Sequence, residues 1–243
     1  MKTKWGISGS VLKWFSVIIM VIDHFGASIL ETYVMNAWGR SPLGNLFHDH
    51  WNELLRVDQI IRYIGRPAFP IFCFLLVEGF LHTRDVKKYA LRLGIFALLS
   101  EIPFDLAIRG KLFDWQYQNV YVTLLIGLLT IWILRTQKDV WYMCLLVAVA
   151  GCALGELLHC DYGAMGVVLI VVLYVMRESR IWQCVSGAVC TAWELPAPLA
   201  FLPICLYNGE RGRQPKWFFY WFYPVHLLLY GMIGRWILPA IFL

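Results

Sequence analysis

Val11–Glu31, VLKWFSVIIMVIDHFGASILE, decides the fold class. After Lys13 it carries no charge until Asp23, and between Trp14 and Ile22 the only polar residue is Ser16. A helix needs about 20 largely apolar residues to cross a bilayer core, and this stretch has that length without the polar stripe of a soluble helix. Lys2, Lys4 and Lys13 before an apolar run give it the outline of a secretory signal. Asp23 and His24 inside the run, and the lack of a small-residue cleavage pattern, identify instead a retained first membrane helix.

The rest of the chain agrees with that start. Of 243 residues, 60% are hydrophobic and only 15% charged, with 12 Trp, 12 Tyr and 15 Phe. An ordinary soluble domain has about a quarter of its residues charged, so a disordered chain, a soluble domain and a disulfide-stapled miniprotein are all excluded. The seven cysteines lie mostly in apolar runs, and none forms a CxxC pair. They read as small buried hydrophobes. The net charge of +5 is small and scattered, which argues against a nucleic-acid partner.

Further apolar stretches run at about 62–82, 88–108, 119–135, 140–158, 162–177 and 217–241. The 181–206 stretch is equally apolar, but Pro196, Pro198 and Pro203 interrupt it, each removing a backbone donor and clashing with the preceding turn. The expected architecture is all-α: a polytopic membrane helical bundle of about eight spans plus one broken or re-entrant element, in a single domain over 1–243. With the N-terminus in the cytoplasm of a cell-membrane protein, the basic turns at Arg84, Lys87 and Lys88, at Arg135 and Lys138, and at Arg177 and Arg180 all fall inside. A hairpin at 181–206 keeps Arg211, Arg213 and Lys216 inside as well, while the 31–61 loop and the Glu156–Asp161 turn fall outside. In the 31–61 loop, Trp38, His48, Asp49, His50, Trp51, Glu53, Arg56 and Asp58 read as solvated or interfacial residues. His48-Asp49-His50 lacks a further ligand at metal-site spacing, and no metal is expected.

Ionisable residues inside spans cost free energy and mark functional sites unless they are structural ion pairs. They are Asp23, His24, Glu78, Arg92, Glu101, Asp105, Glu194, His226 and Arg235, with Glu156, His159 and Asp161 at a span end and Arg66 at a span entry. His24 lies about 13 residues into the first helix, or roughly 20 Å deep at about 1.5 Å per residue. Asp23 points about 100° away round the helix, so another carboxylate should orient the imidazole. Glu101 and Asp105, an i, i+4 pair, are the expected candidates. Histidine is the natural general base near neutral pH. Arg92, Lys87, Lys88, Arg211, Arg213 and Lys216 form a basic cytoplasmic rim that suits a phosphate-rich donor, although the positive-inside rule explains the same residues.

Four strings in order, KWFSVIIMVIDHFG (13–26), IGRPAFPIFCFLLVEG (64–79) followed by HTRD, YALRLGIFALLSEIPFD (89–105) and FFYWFYPVHLL (218–228), resemble the TraX family over nearly the whole chain. Members include the protein that N-acetylates the N-terminus of conjugative pilin, and the family resembles a wider group of membrane acyltransferases. The resemblance implies a membrane acetyltransferase that takes its acetyl group from cytoplasmic acetyl-CoA. It passes that group to an amine or hydroxyl acceptor, such as a peptide N-terminus, a surface sugar or a lipid.

The positions that match are Asp23, His24, Gly65, Arg66, Phe69, Pro70, Glu78, Arg92, Glu101, Pro103, Asp105, Asn119, Thr123, Asp161, Tyr162, Gly163, Tyr223, Pro224 and His226. On this reading His24 is the base, Asp23, Glu101 and Asp105 support it, and Arg66 or Asn119 stabilises the oxyanion. Glu78, Arg92, Lys87, Lys88, Asn119, Thr123, Tyr223, His226, Arg211 and Arg213 are assigned to acetyl-CoA. His226 is also an alternative base. A proton-coupled transporter built on the same buried His and carboxylates is the competing function, a bis-histidine haem protein using His24 and His226 is a third, and a non-catalytic assembly factor is a fourth. The acceptor is not readable, and a homo-oligomer is compatible with the sequence.

Overall fold

The computed structural model describes residues 5–37, 39, 41–137, 139–213 and 215–242, with the side chain of Lys216 excluded. Lys2, Lys4, Trp38, Lys138 and the Lys216 side chain lie outside the described residues. Helix accounts for 79% of the structure, and among the described residues there is no strand. The α-helices are α1 (Gly9–Phe25), α2 (Pro42–Leu46), α3 (Trp51–Gly65), α4 (Ala68–His82), α5 (Val86–Phe104), α6 (Val120–Thr136), α7 (Trp141–Leu157), α8 (Gly163–Val175), α9 (Arg180–Cys190), α10 (Phe201–Cys205), α11 (Lys216–Met232) and α12 (Leu238–Phe242).

Among the described residues, three helical stretches are long and apolar enough to cross a membrane: Gly9–Met35, His48–His82 and Trp217–Phe242. The shorter apolar helices α6 and α7 have 17 residues each, about 25 Å against a hydrocarbon core of about 30 Å. The other expected spans fall short of that standard for visible reasons. α5 carries Lys87, Lys88, Arg92 and Glu101 and contains Pro103; α8 has only 13 residues. The 181–206 stretch is broken, as its prolines require, into α9, a 3-10 turn at Ala197–Ala200 and α10. The 31–61 stretch is mostly folded. It contains the end of a π-helix, α2, a 3-10 turn at His48–His50 and most of α3.

The chain forms two compact units. The first comprises Met1–Ser16, Pro67–Leu98 and Trp115–Gln214. Its helices approach closely through glycine: a Cβ on Gly127 would stand 2.3 Å from the Ile170 side chain. Glu78 is paired inside it. Arg180 Nη2 lies 3.3 Å from Glu78 Oε1, Arg180 Nη1 donates to Gln183 Oε1 at 2.6 Å, and the guanidinium sits over the Phe74 and Tyr207 rings. The attraction and hydrogen bonds of this arrangement offset part of the desolvation cost of the buried charge.

The second unit comprises Val17–Arg66, Leu99–Asp114 and Pro215–Leu243. It contains three π-helical segments, Gly26–Met35, Asp105–Arg109 and Ile233–Ile237. Each closes with a bond reaching five residues back, as from Asn36 N–H to the Glu31 carbonyl at 2.7 Å. Such wide turns are uncommon and recur at functional sites. Side chains secure them across the unit. Thr32 Oγ1 donates to the carbonyls of Ala27 (2.9 Å) and Ile108 (2.8 Å), Tyr33 OH to Leu106 O, and Arg235 Nη1 to Gly110 O at 3.1 Å.

Candidate functional site

The second unit brings together two histidines from opposite ends of the sequence. His24 is near the end of α1 and His226 is in the middle of α11; their Nδ1 and Nε2 atoms are 2.7 Å apart. The two ring planes are within 14° of each other and their centroids are 5.0 Å apart. The other nitrogen of His226, Nδ1, lies 2.7 Å from the backbone carbonyl of Phe222, one turn earlier on the same helix.

Aromatic rings enclose the pair. Tyr223 meets His24 and His226 edge-on, each at 5.8 Å, Phe222 stacks on His226 at 5.1 Å, and Tyr230 meets His226 edge-on while its hydroxyl donates to Val21 O at 3.1 Å. His226 is only 7% exposed and Tyr223 is buried. In this dry setting a hydrogen bond orients a ring more firmly than it would in water. Two imidazoles bonded directly to each other cannot also stand on opposite faces of one haem, which removes the haem reading for this arrangement.

Asp23 turns away from His24, as its helical offset requires. Arg62 Nη1 donates to Asp23 Oδ2 at 2.6 Å and to its carbonyl at 3.2 Å, while Arg62 Nε lies 3.1 Å from Glu31 Oε1. Asp58 is buried beside Glu31, and Arg66 is within electrostatic reach of Asp23. Gly65 makes this possible, because a Cβ there would stand 2.1 Å from the Asp23 Cβ. Sequence reasoning missed Arg62. The available signal was its register, since Asp58, Arg62 and Arg66 recur at four-residue spacing on one helical face.

A family described as TraX protein matches residues 8–234. The chain belongs to the TraX family. The matched region contains both histidines, Asp23, Arg62 and the whole first unit apart from its first seven residues. This TraX chain is also 29% identical over 248 residues to the "Probable fimbrial assembly protein FimC, serogroup H1" of Dichelobacter nodosus, covering 90% of this chain and 92% of that one. No solved structure matches it. TraX membership and its three long apolar helices make it a membrane protein.

The remaining expected site residues divide between the two units. No carboxylate from α5 takes the Nδ1 of His24 in this TraX protein; His226 does. Asp105 follows α5 one turn after Glu101 and begins a π-turn. Fully buried, Asp105 accepts the Asp114 amide at Oδ2 (2.7 Å), and Asp114 takes Arg109 Nε at 3.3 Å and Lys111 Nζ at 3.0 Å. Asp105 therefore closes its own loop. Glu101 is half-buried on α5.

In the first unit, Asn119 caps α6. Its Oδ1 accepts the Tyr121 amide at 3.0 Å and its Nδ2 donates to Ala97 O at 2.8 Å, a use of the amide that competes with an oxyanion role. Thr123 donates to the Asp161 carbonyl, and Glu78 is held by Arg180. Arg92 lies over the Tyr89 ring at 5.9 Å. Lys87 and Lys88 are exposed at the start of α5, where Asp85 Oδ1 accepts the Lys88 amide at 2.9 Å. The loop carrying exposed Arg211 and Arg213 is stitched to the start of α1 by Gly9 N–H to Glu210 O (2.8 Å) and Ser10 Oγ to Arg213 O (2.6 Å). This brings Arg211 within electrostatic reach of Lys13. Among the described residues, no three His, Cys, Asp or Glu side chains form a metal-holding group.

Proposed function

We propose that this TraX-family chain is an integral membrane acetyltransferase that moves an acetyl group from cytoplasmic acetyl-CoA to an acceptor at the membrane or its outer side. The single observation that carries the reading is the 2.7 Å contact between His24 Nδ1 and His226 Nε2. It holds one imidazole in a fixed orientation within an aromatic enclosure, as a general base requires. His24 takes the proton of the acceptor amine or hydroxyl as the acceptor heteroatom bonds to the acetyl carbon. The carbon–sulfur bond then breaks, and His24 returns the proton to the leaving thiolate, restoring the enzyme.

Arg211 and its neighbour Lys13, with Arg213, are assigned to the phosphates of the donor, for which clustered cations are chemically suited. Lys87, Lys88 and Arg92 belong to the same assignment by charge alone. The relative named for fimbrial assembly supports a fimbrial or pilin subunit as acceptor, with its N-terminal amine as the acetylated group. The eight-span arrangement with a cytoplasmic N-terminus is part of this proposal.

The test is transfer of labelled acetyl groups from acetyl-CoA by the purified protein to fimbrial subunits in membranes. It is paired with mass spectrometry of surface fractions, with and without the gene, for the mass of one acetyl group. His24→Ala should lower kcat by roughly 100- to 10,000-fold while the protein stays folded. Undiminished transfer by that variant, or substrate-dependent proton flux without any acetyl transfer by the wild type, overturns the reading.

A further inference from the structure

We infer that His226 is a positioning residue that locks the tautomer of His24, so that Nε2 of His24 is the nitrogen that takes the acceptor's proton and the two rings share the resulting charge. The inference rests on the proposed acyl transfer for its catalytic meaning, but its structural content stands on hydrogen-bond direction alone.

A backbone carbonyl has no proton to give, so the 2.7 Å contact between His226 Nδ1 and Phe222 O requires a hydrogen on His226 Nδ1. A neutral His226 then has its lone pair on Nε2. The 2.7 Å contact from that atom to His24 Nδ1 requires His24 to be the donor. Neutral His24 therefore carries its hydrogen on Nδ1 and is left with a bare Nε2. The direction of every bond follows from the one acceptor whose chemistry is unambiguous, and which nitrogen of a histidine is protonated is set by the bond the other nitrogen makes.

The consequence for the reaction is specific. When His24 Nε2 accepts the acceptor's proton, the new bond to the acetyl carbon forms and the bond to sulfur breaks. His24 becomes an imidazolium whose Nδ1 hydrogen already lies in a short bond to His226. That hydrogen shifts toward His226 Nε2, and the positive charge is spread over both rings and stabilised by the Phe222 carbonyl. As the thiolate takes its proton from His24 Nε2, the shared hydrogen returns to His24 Nδ1. Atoms and charge balance without any co-reactant. His226 never touches the acceptor in this scheme, which is why it is a positioning residue.

The decisive experiment reads tautomers directly. Wild-type protein labelled with 15N-histidine is placed in lipid nanodiscs, and proton–nitrogen correlation spectra are recorded, with ring signals assigned by His24→Gln and His226→Gln. Both rings are expected with the hydrogen on Nδ1 and a bare Nε2. A bare Nδ1 on His24 overturns the inference, whether or not the protein transfers acetyl groups. Wild-type protein with the expected tautomers but no acetyl transfer would instead overturn the function and leave the hydrogen-bond assignment intact.

Kinetics supply the second arm. His226→Ala should lower kcat by roughly 100-fold, the low end of a general base's contribution, leave KM nearly unchanged and release His24 from the Nδ1–H tautomer. His226→Gln, whose amide oxygen can accept from His24 Nδ1 but cannot share the charge, should recover the tautomer and part of the rate. A His226→Ala variant with unchanged kcat and unchanged His24 tautomer, or a folded His226→Gln variant no better than alanine, overturns the positioning role.

Discussion

Arg62 reaches across from α3 to place its Nη1 2.6 Å from Oδ2 of Asp23, the residue next to His24. Both side chains are largely shielded, at 19% and 14% exposure, and Glu31 shares the guanidinium. Removing one partner of such a pair leaves the other charge desolvated, which costs more than the pair itself contributes. Arg62→Met should therefore destabilise the protein by about 2–3 kcal/mol, discounted for the remaining exposure. Adding Asp23→Asn should restore part of the loss. Unfolding midpoints of the two single variants and the double variant in one detergent measure the coupling, and additive losses would show that the pair is not coupled.

Gly65 governs the same crossing. A methyl group there would stand 2.1 Å from the Asp23 Cβ, so α1 and α3 would have to separate. Gly65→Ala should cost about 1–3 kcal/mol and also weaken acetyl transfer by displacing the helix that carries His24. An alanine variant with wild-type unfolding and wild-type rate would show that the two helices have slack here.

Thr32 joins two of the π-helical segments, donating to carbonyls of both. Thr32→Val keeps the shape and removes the donor, leaving buried carbonyls with one partner fewer. The expected loss is about 1 kcal/mol. Hydrogen exchange should quicken along Asp105–Arg109 before it changes in the first unit, and unchanged exchange there would remove Thr32 as the joint.

Asp85 provides a pH signature outside the spans. The Lys88 backbone N–H, with smaller help from the Lys88 side chain, holds its carboxyl below the usual value of 3.8. A group depressed in the folded state contributes stability above its unfolded value, and that stability is lost as pH falls through the folded one. Unfolding midpoints of the wild type should thus fall more steeply below about pH 4 than those of Asp85→Ala. Parallel acid profiles for the two proteins would remove Asp85 as the start signal of α5.

Local pattern carried several features from sequence to structure intact. Val11–Glu31 folds as α1 and a π-helical continuation, 181–206 is interrupted where Pro196 and Pro198 stand, and Asp23 faces away from His24 because consecutive helical residues diverge by about 100°. Spacing could not supply the partner of His24: Glu101 and Asp105 lie one helical turn apart, but the group that meets His24 Nδ1 is His226, and Asp105 accepts the Asp114 amide.

By itself the sequence determined the class of protein: helices rich enough in apolar residues to require lipid, and a few ionisable groups inside them whose cost demands a partner. It did not determine which partner. His24 and His226 are 202 positions apart, and Arg62 and Asp23 are 39 apart. No periodicity relates residues at such distances. Only the packing of α1 against α3 through Gly65, and the fold that brings His226 to His24, turned isolated buried charges into an ion pair and a bonded pair of imidazoles.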